Sequence, residues 1–111
     1  MEILDLSIVK KDGKKESYNR DKMTIGIKRA IEKRPVTEDD LKKLIHSIER
    51  ELQKINKNEI SSEQVGDIIM KHLKKIDKVA YIRFASVCLS FEDLNDFQVE
   101  LEKLLIRKKK K

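Results

Sequence analysis

The residues of this chain best suited to chemistry stand close together near its start. They are Lys10, Lys11, Asp12, Gly13, Glu16, Asn19 and Lys22. Two lysines precede an Asp-Gly turn signal, a carboxylate follows on the return, and another lysine falls in the first turn of the next helix. Ammonium groups beside a helix N-terminus favour a phosphate, because free backbone N–H groups and the positive end of the helix dipole act with them. Glu16 and Asn19 have the polar groups to hydrogen-bond a sugar or a base. By composition alone, a Lys-Lys-Asp-Gly-Lys-Lys stretch also describes an ordinary charged surface turn.

Signals for catalysis are poor elsewhere. There is no G-x-x-x-x-G-K-[ST] phosphate loop and no G-x-G-x-x-G. His46 and His72 fall on predicted helices with no second ligand at clear metal spacing, so both read as exposed or boundary histidines. Cys88 is the single cysteine, with no neighbouring base in sequence, and reads as a core thiol. One cysteine builds neither a disulfide nor a four-cysteine zinc site, so no zinc and a reducing, cytoplasmic setting are expected. No apolar run approaches the roughly 20 residues of a membrane span, and the first residues lack the pattern of a secretory signal.

The elements that must position the cluster follow from pattern. Ser7–Lys10 and Lys15–Tyr18 are short β-prone runs joined by Asp12-Gly13, a hairpin signal. Asn19 and Asp21 suit a helix start. Met23, Ile27, Ala30 and Ile31 then share a face, predicting a helix from Arg20 to Lys33 that stops at Arg34-Pro35. Thr37 caps a second helix with the stripe Leu41, Leu44, Ile45, Ile48, Leu52 and Ile55. Glu59-Ile60 suits a short third strand, and Ser61 or Ser62 caps a third helix with Val65, Ile68, Ile69 and Leu73 inward. A fourth helix, about Lys78 to Phe91, is apolar on most sides and is expected at the centre. A fifth, about Asp93 to Ile106, carries Leu94, Phe97, Leu101, Leu104 and Leu105. The fold class is therefore α+β: a small β-hairpin or three-stranded sheet packed against a four- to five-helix bundle.

Charge refines this picture. The chain of 111 residues is 41% charged with a formal net charge of +6, yet its apolar residues sit at helical spacing, as a folded domain requires. Five basic residues occupy Arg107 to Lys111; the other 21 nearly balance the 20 acidic ones. The division expected is one domain over residues 1–106 and a disordered basic tail over 107–111.

Val9-Lys10-Lys11-Asp12-Gly13, then Glu16 and Asn19-Arg20-Asp21-Lys22, resembles the V-x-K-R-D-G-x-x-E-x-[FY]-[DN]-x-x-K opening of ATP-cone domains, which regulate ribonucleotide reductases and their transcriptional repressor. Glu32 to Val36, Glu59 to Ser62, Asp77 to Val87 and Ser90 to Leu94 extend the resemblance over nearly the whole chain except its tail. These later segments look most like the repressor branch of the family. The resemblance implies an allosteric sensor that binds ATP or dATP, with magnesium as a candidate companion, and does not hydrolyse it. The nucleotide site carried over is Val9, Lys10, Lys11, Gly13, Glu16, Asn19, Lys22 and Ser62, with no catalytic residue and no metal ligand. In that site Lys10, Lys11 and Lys22 meet phosphates, Glu16 and Asn19 lie near ribose or base, and Ser62 starts a helix facing the nucleotide. Lys11 replaces the family's usual arginine, keeping the charge without the bidentate fork. Cys88 stands where repressor members usually carry a tyrosine. The zinc ribbon that opens the repressors is not part of this sequence. A homo-oligomer is expected from the apolar stripe of the fifth helix; a ribonucleotide reductase or a DNA-binding protein is the candidate partner. Two other classes remain open: a nucleic-acid-binding regulator acting through the basic tail, and a helical interaction module with an empty site.

Overall fold

The computed structural model describes residues 5–55, 57–89 and 91–109, with side chains up to 105 in the last helix. Three short strands, β1 (Ser7–Val9), β2 (Lys15–Ser17) and β3 (Glu59–Ser61), and five helices, α1 (Arg20–Ala30), α2 (Glu38–Ile55), α3 (Ser62–Ile76), α4 (Lys78–Cys88) and α5 (Leu94–Lys109), make an α+β fold. The sheet order is β2-β1-β3.

The hairpin closes as its turn residues require. The Gly13 N–H donates to the Lys10 carbonyl at 2.9 Å and the Lys10 N–H to the Lys14 carbonyl at 2.8 Å. Gly13 has φ +89°, a conformation glycine reaches without a Cβ penalty. The Asp12 carboxylate accepts the Lys14 N–H at 2.9 Å and pins the turn. β1 and β2 pair antiparallel, with Ile8 opposite Glu16. β3 joins the other edge parallel to β1, with Ile8 opposite Ile60, so the third strand is not a continuation of the meander. A parallel neighbour needs a long crossover, and α1 and α2 supply it.

Local caps set the helix starts. Asn19 accepts the Lys22 N–H and caps α1. Of the two serines that suit the start of α3, Ser61 is the cap, accepting the Gln64 N–H at 3.0 Å, and Ser62 is the first helical residue. Asp77 ends α3 and caps α4, its carboxylate also gripped by the Arg34 guanidinium at 2.9–3.0 Å. α1 stops three residues before Lys33. The reason lies far away in sequence: Arg83 donates to the Ala30 and Glu32 carbonyls, and Lys33 turns the chain at φ +63°.

One core holds these elements. Ile27, Ile48 and Leu73 are fully enclosed, with Leu6, Leu41, Leu44, Leu52, Ile60 and Ile69 around them. α4 packs against α1, α3 and α5 through Ala80, Tyr81 and Ala85. It is less enclosed than its composition suggests, since Val79 and Val87 are 41% and 77% exposed. α5 is held by buried Leu104, by the Tyr81 hydroxyl on Glu100 at 2.9 Å, and by an edge-on contact of Phe91 with Phe97. Its other leucines face solvent. The basic tail expected over 107–111 lies at this end; its side chains, and residues 110–111 entirely, fall outside the described residues.

Candidate functional site

Where the hairpin meets the start of α1, a cleft of about 270 Å³ opens to solvent. Ile8 of β1, Glu16 and Ser17 of β2, Tyr18 and Asn19 of the connection, Lys22 and Met23 of α1, and Val65 and Ile69 of α3 line it. Its polar rim is built around Glu16. Lys22 Nζ lies 3.1 Å from one carboxylate oxygen and 3.4 Å from the other, and Lys10 Nζ approaches at 3.5 Å. The hydrogen bond from Lys22, reinforced by Lys10, holds the Glu16 carboxyl below the usual carboxylate range despite the opposing effect of desolvation. These lysine side chains remain substantially exposed, 45% for Lys10 and 63% for Lys22, so an entering anion can reach them.

Behind the rim the wall is apolar: Ile8, Met23, Val65, Ile69 and the ring of Tyr18. Tyr18 is anchored from behind. Its hydroxyl donates to Glu49 at 2.6 Å, and Arg20 grips both oxygens of the same carboxylate at 2.7 Å. Glu49 is only 8% exposed. Burial pushes its carboxyl up, but the hydrogen bonds from Arg20 and Tyr18 outweigh burial and the net direction is down. The same burial and the Glu49 charge push the Tyr18 phenol far above its ordinary value, so it stays a donor.

Glu16, Asn19 and Lys22 thus share the cleft, and Lys10 reaches its rim through Glu16. Lys11 and Gly13 sit on the hairpin turn, exposed. Val9 and Ser62 are half-buried and do not line the cleft. The wall and its anchor are not marked in the sequence as parts of a site. Ile8, Val65 and Ile69 carried the signal of ordinary core residues, and Glu49 that of one charge among many.

The sequence that builds this cleft matches a known family. Residues 6–94 correspond to the ATP cone domain. The chain belongs to the ATP-cone family. It is also 46% identical over 108 residues to the transcriptional repressor NrdR of Desulforapulum autotrophicum, a match that covers 97% of this chain and 66% of that relative. The chain therefore spans about two thirds of the curated relative's length. The cone proper comprises the sheet and α1 to α4; α5 begins where the family match ends.

The remaining reactive groups of this ATP cone lie away from the cleft wall. His72 meets Glu51 at 2.8 Å, and Lys71 meets the same carboxylate at 2.6 Å, on the α2–α3 surface. His46 is exposed. Cys88 is half-buried, and burial followed by the Asp67 charge pushes its thiol up, away from reactivity. Its sulfur packs so near Gly66 that a Cβ there would stand 3.5 Å away. Among the described residues no three His, Cys, Asp or Glu side chains are grouped to hold a metal ion, and no helix is long and apolar enough to cross a membrane.

Proposed function

We propose that the cleft binds an adenine nucleotide, ATP or dATP, and that the cone acts as an allosteric sensor linked to ribonucleotide reductase or to control of its transcription. One observation carries this reading: two exposed lysines converge on one carboxylate at the mouth of an apolar-walled cleft beside a helix N-terminus. A cleft of about 270 Å³ falls just below the range of ligand sites, roughly 300–1,000 Å³. It has room for the base and sugar, with the phosphates reaching outward. Lys10, Lys11 and Lys22 neutralise those phosphates, and the N-terminus of α1 adds its dipole. The base lies against Ile8, Met23, Val65, Ile69 and Tyr18. Glu16 and Asn19 meet ribose or base once the phosphates have drawn the lysines away. Val9 and Gly13 fix the course of the hairpin, and Ser62 stands at the start of α3 beside the nucleotide.

The nucleotide stays intact, because the cleft holds no base placed to activate water; magnesium enters with the phosphates, carried by them rather than by a protein ligand set. Signalling is differential binding: ATP and dATP favour different arrangements of the cone, and hence different assemblies or partners. Titration calorimetry tests the reading. ATP with magnesium gives a saturating heat that Lys22→Ala reduces, and no steady phosphate release accompanies it. Absence of heat and of thermal shift at millimolar ATP refutes it.

A further inference from the structure

A second concentration of positive charge lies where α2 runs beside α3. Lys43, Ser47, Arg50 and Lys54 recur at intervals of four, three and four residues, so they share one face of α2. Ser47, Arg50 and Lys54, with Glu51 and His72, line an open groove of about 390 Å³. α3 borders it with Lys71, and Lys75 follows one turn on. The groove's carboxylate, Glu51, is already held by Lys71 at 2.6 Å and by His72 at 2.8 Å. Lys43, Arg50, Lys54 and Lys75 are exposed and have no ion-pair partner among the described residues. Elsewhere Lys10, Lys15, Arg20, Lys22, Arg34 and Lys103 each meet a carboxylate. Lysines and arginines thus outnumber carboxylates strongly on this face, whereas residues 1–106 as a whole are close to balance.

We propose that the α2–α3 face of the cone itself holds the phosphate backbone of duplex DNA, without reading its sequence. Three features select this occupant. The residues lining the groove are all polar or charged, whereas a protein interface has an apolar centre and is poor in lysine. No aromatic ring lines the groove to stack an unpaired base, as single-strand sites use. The cations form a row and not a point. From Lys43 to Lys54 the row covers about 16 Å of helix, eleven residues at 1.5 Å rise. Over that length double-stranded DNA presents about nine phosphate charges. α3 adds its own cations across a helix spacing of about 8–10 Å. Arg50 offers a planar fork to two phosphate oxygens, Lys43, Lys54 and Lys75 act as point charges, and Ser47 donates its hydroxyl. The face shares no lining residue with the nucleotide cleft, so the inference stands independently of the nucleotide reading.

Fluorescence anisotropy of a labelled DNA duplex of about 20 base pairs, titrated with the whole chain to about 100 µM at several salt concentrations, tests this. Phosphate contacts from Lys43, Arg50, Lys54 and Lys75 give log affinity against log salt a slope of about −3.6, roughly a hundredfold loss between about 50 and 200 mM. A duplex of unrelated sequence binds within about twofold. Arg50→Gln with Lys54→Gln binds at least about tenfold more weakly at about 50 mM salt, and its slope is shallower by about 1.8. Its helical circular dichroism and melting temperature stay at the wild-type values, since both side chains are exposed. Lys28→Gln with Arg29→Gln removes the same charge from α1 and leaves the slope unchanged. Wild-type protein that binds no duplex at about 50 mM salt overturns the proposal. So does an Arg50→Gln, Lys54→Gln variant that binds as wild type does while Lys108→Ser to Lys111→Ser abolishes binding, which assigns the contact to the tail. Tighter binding of a single strand or of an RNA duplex of the same sequence overturns it as well.

Discussion

Two carboxylates near the hairpin each gather two donors, but donors of different kinds and at different depths. Glu49 lies between Tyr18 and Arg20, and Glu16 between Lys22 and Lys10 of the hairpin turn. Glu49 takes a bidentate guanidinium and a phenol at 2.6–2.7 Å and is 8% exposed. Glu16 takes two flexible ammonium groups at 3.1–3.5 Å, and its side chain is 37% exposed. Burial separates their roles. A buried carboxylate with fixed planar partners cannot exchange them without a desolvation penalty. An exposed one between lysines can yield its partners to an incoming anion at little cost. The first is the footing of the cleft wall, and the second belongs to its exposed rim.

The largest effect that would break this comparison is on folding. Glu49→Ala leaves the Tyr18 hydroxyl and the Arg20 guanidinium without their shared acceptor. We expect a loss of about 2–4 kcal/mol, below the full cost of breaking a buried pair because the Arg20 side of the pair meets solvent. Thermal denaturation should show a fall of roughly 8 °C or more. A change under 2 °C would mean that the anchor is dispensable.

The next effect is on binding. Lys22→Ala and Lys10→Ala should each weaken ATP at least about fivefold, allowing for exposure of these charge-assisted contacts. Their melting temperatures should stay close to wild type. Equal loss of stability and affinity would erase the distinction between rim and footing.

Acid sharpens it further. Glu49, Glu16, Glu51 and Asp77 all have folded values below their ordinary ones. For Glu51 the cause is the hydrogen bonds from Lys71 and His72; for Asp77 the Ala80 amide and Arg34 outweigh burial. Depressed carboxyls contribute stability above their unfolded values, near 4.5 for glutamate, and lose it as pH falls through the lower folded values. Stability should therefore decline as pH drops below about 4.5. Glu49→Gln should flatten that decline visibly, and Glu16→Gln should barely alter it. The smallest effect is Glu16→Gln at neutral pH, expected to leave the melting temperature close to wild type, as for other surface substitutions.

The unequal legibility of the two carboxylates has a physical reason. Glu16 was visible in sequence because its partners are local: Lys22 lies six residues away, and the Asp12-Gly13 turn and the Asn19 cap announce the geometry between them. Glu49 was not, because Tyr18 and Arg20 lie 31 and 29 residues away and nothing in a charged helix marks which glutamate turns inward. The same holds for the early end of α1, which is set by Arg83 from 53 residues downstream. The five helices and the hairpin were readable from period and turn chemistry. The parallel placement of β3 was not, since Glu59-Ile60 has the same pattern in either direction. The apolar stripe of α5 was readable, but how little of it one small domain covers is a property of packing.

The proposed adenine-nucleotide site consists of the rim lysines and the wall anchored on Glu49. Titration calorimetry of the whole chain with ATP, dATP and GTP, each with magnesium, tests it most directly. Saturating binding of ATP and dATP, much weaker GTP binding, and at least about a fivefold loss of ATP affinity in Lys22→Ala are expected. No heat with either adenine nucleotide at millimolar concentration, or binding that Lys22→Ala leaves untouched, would contradict it.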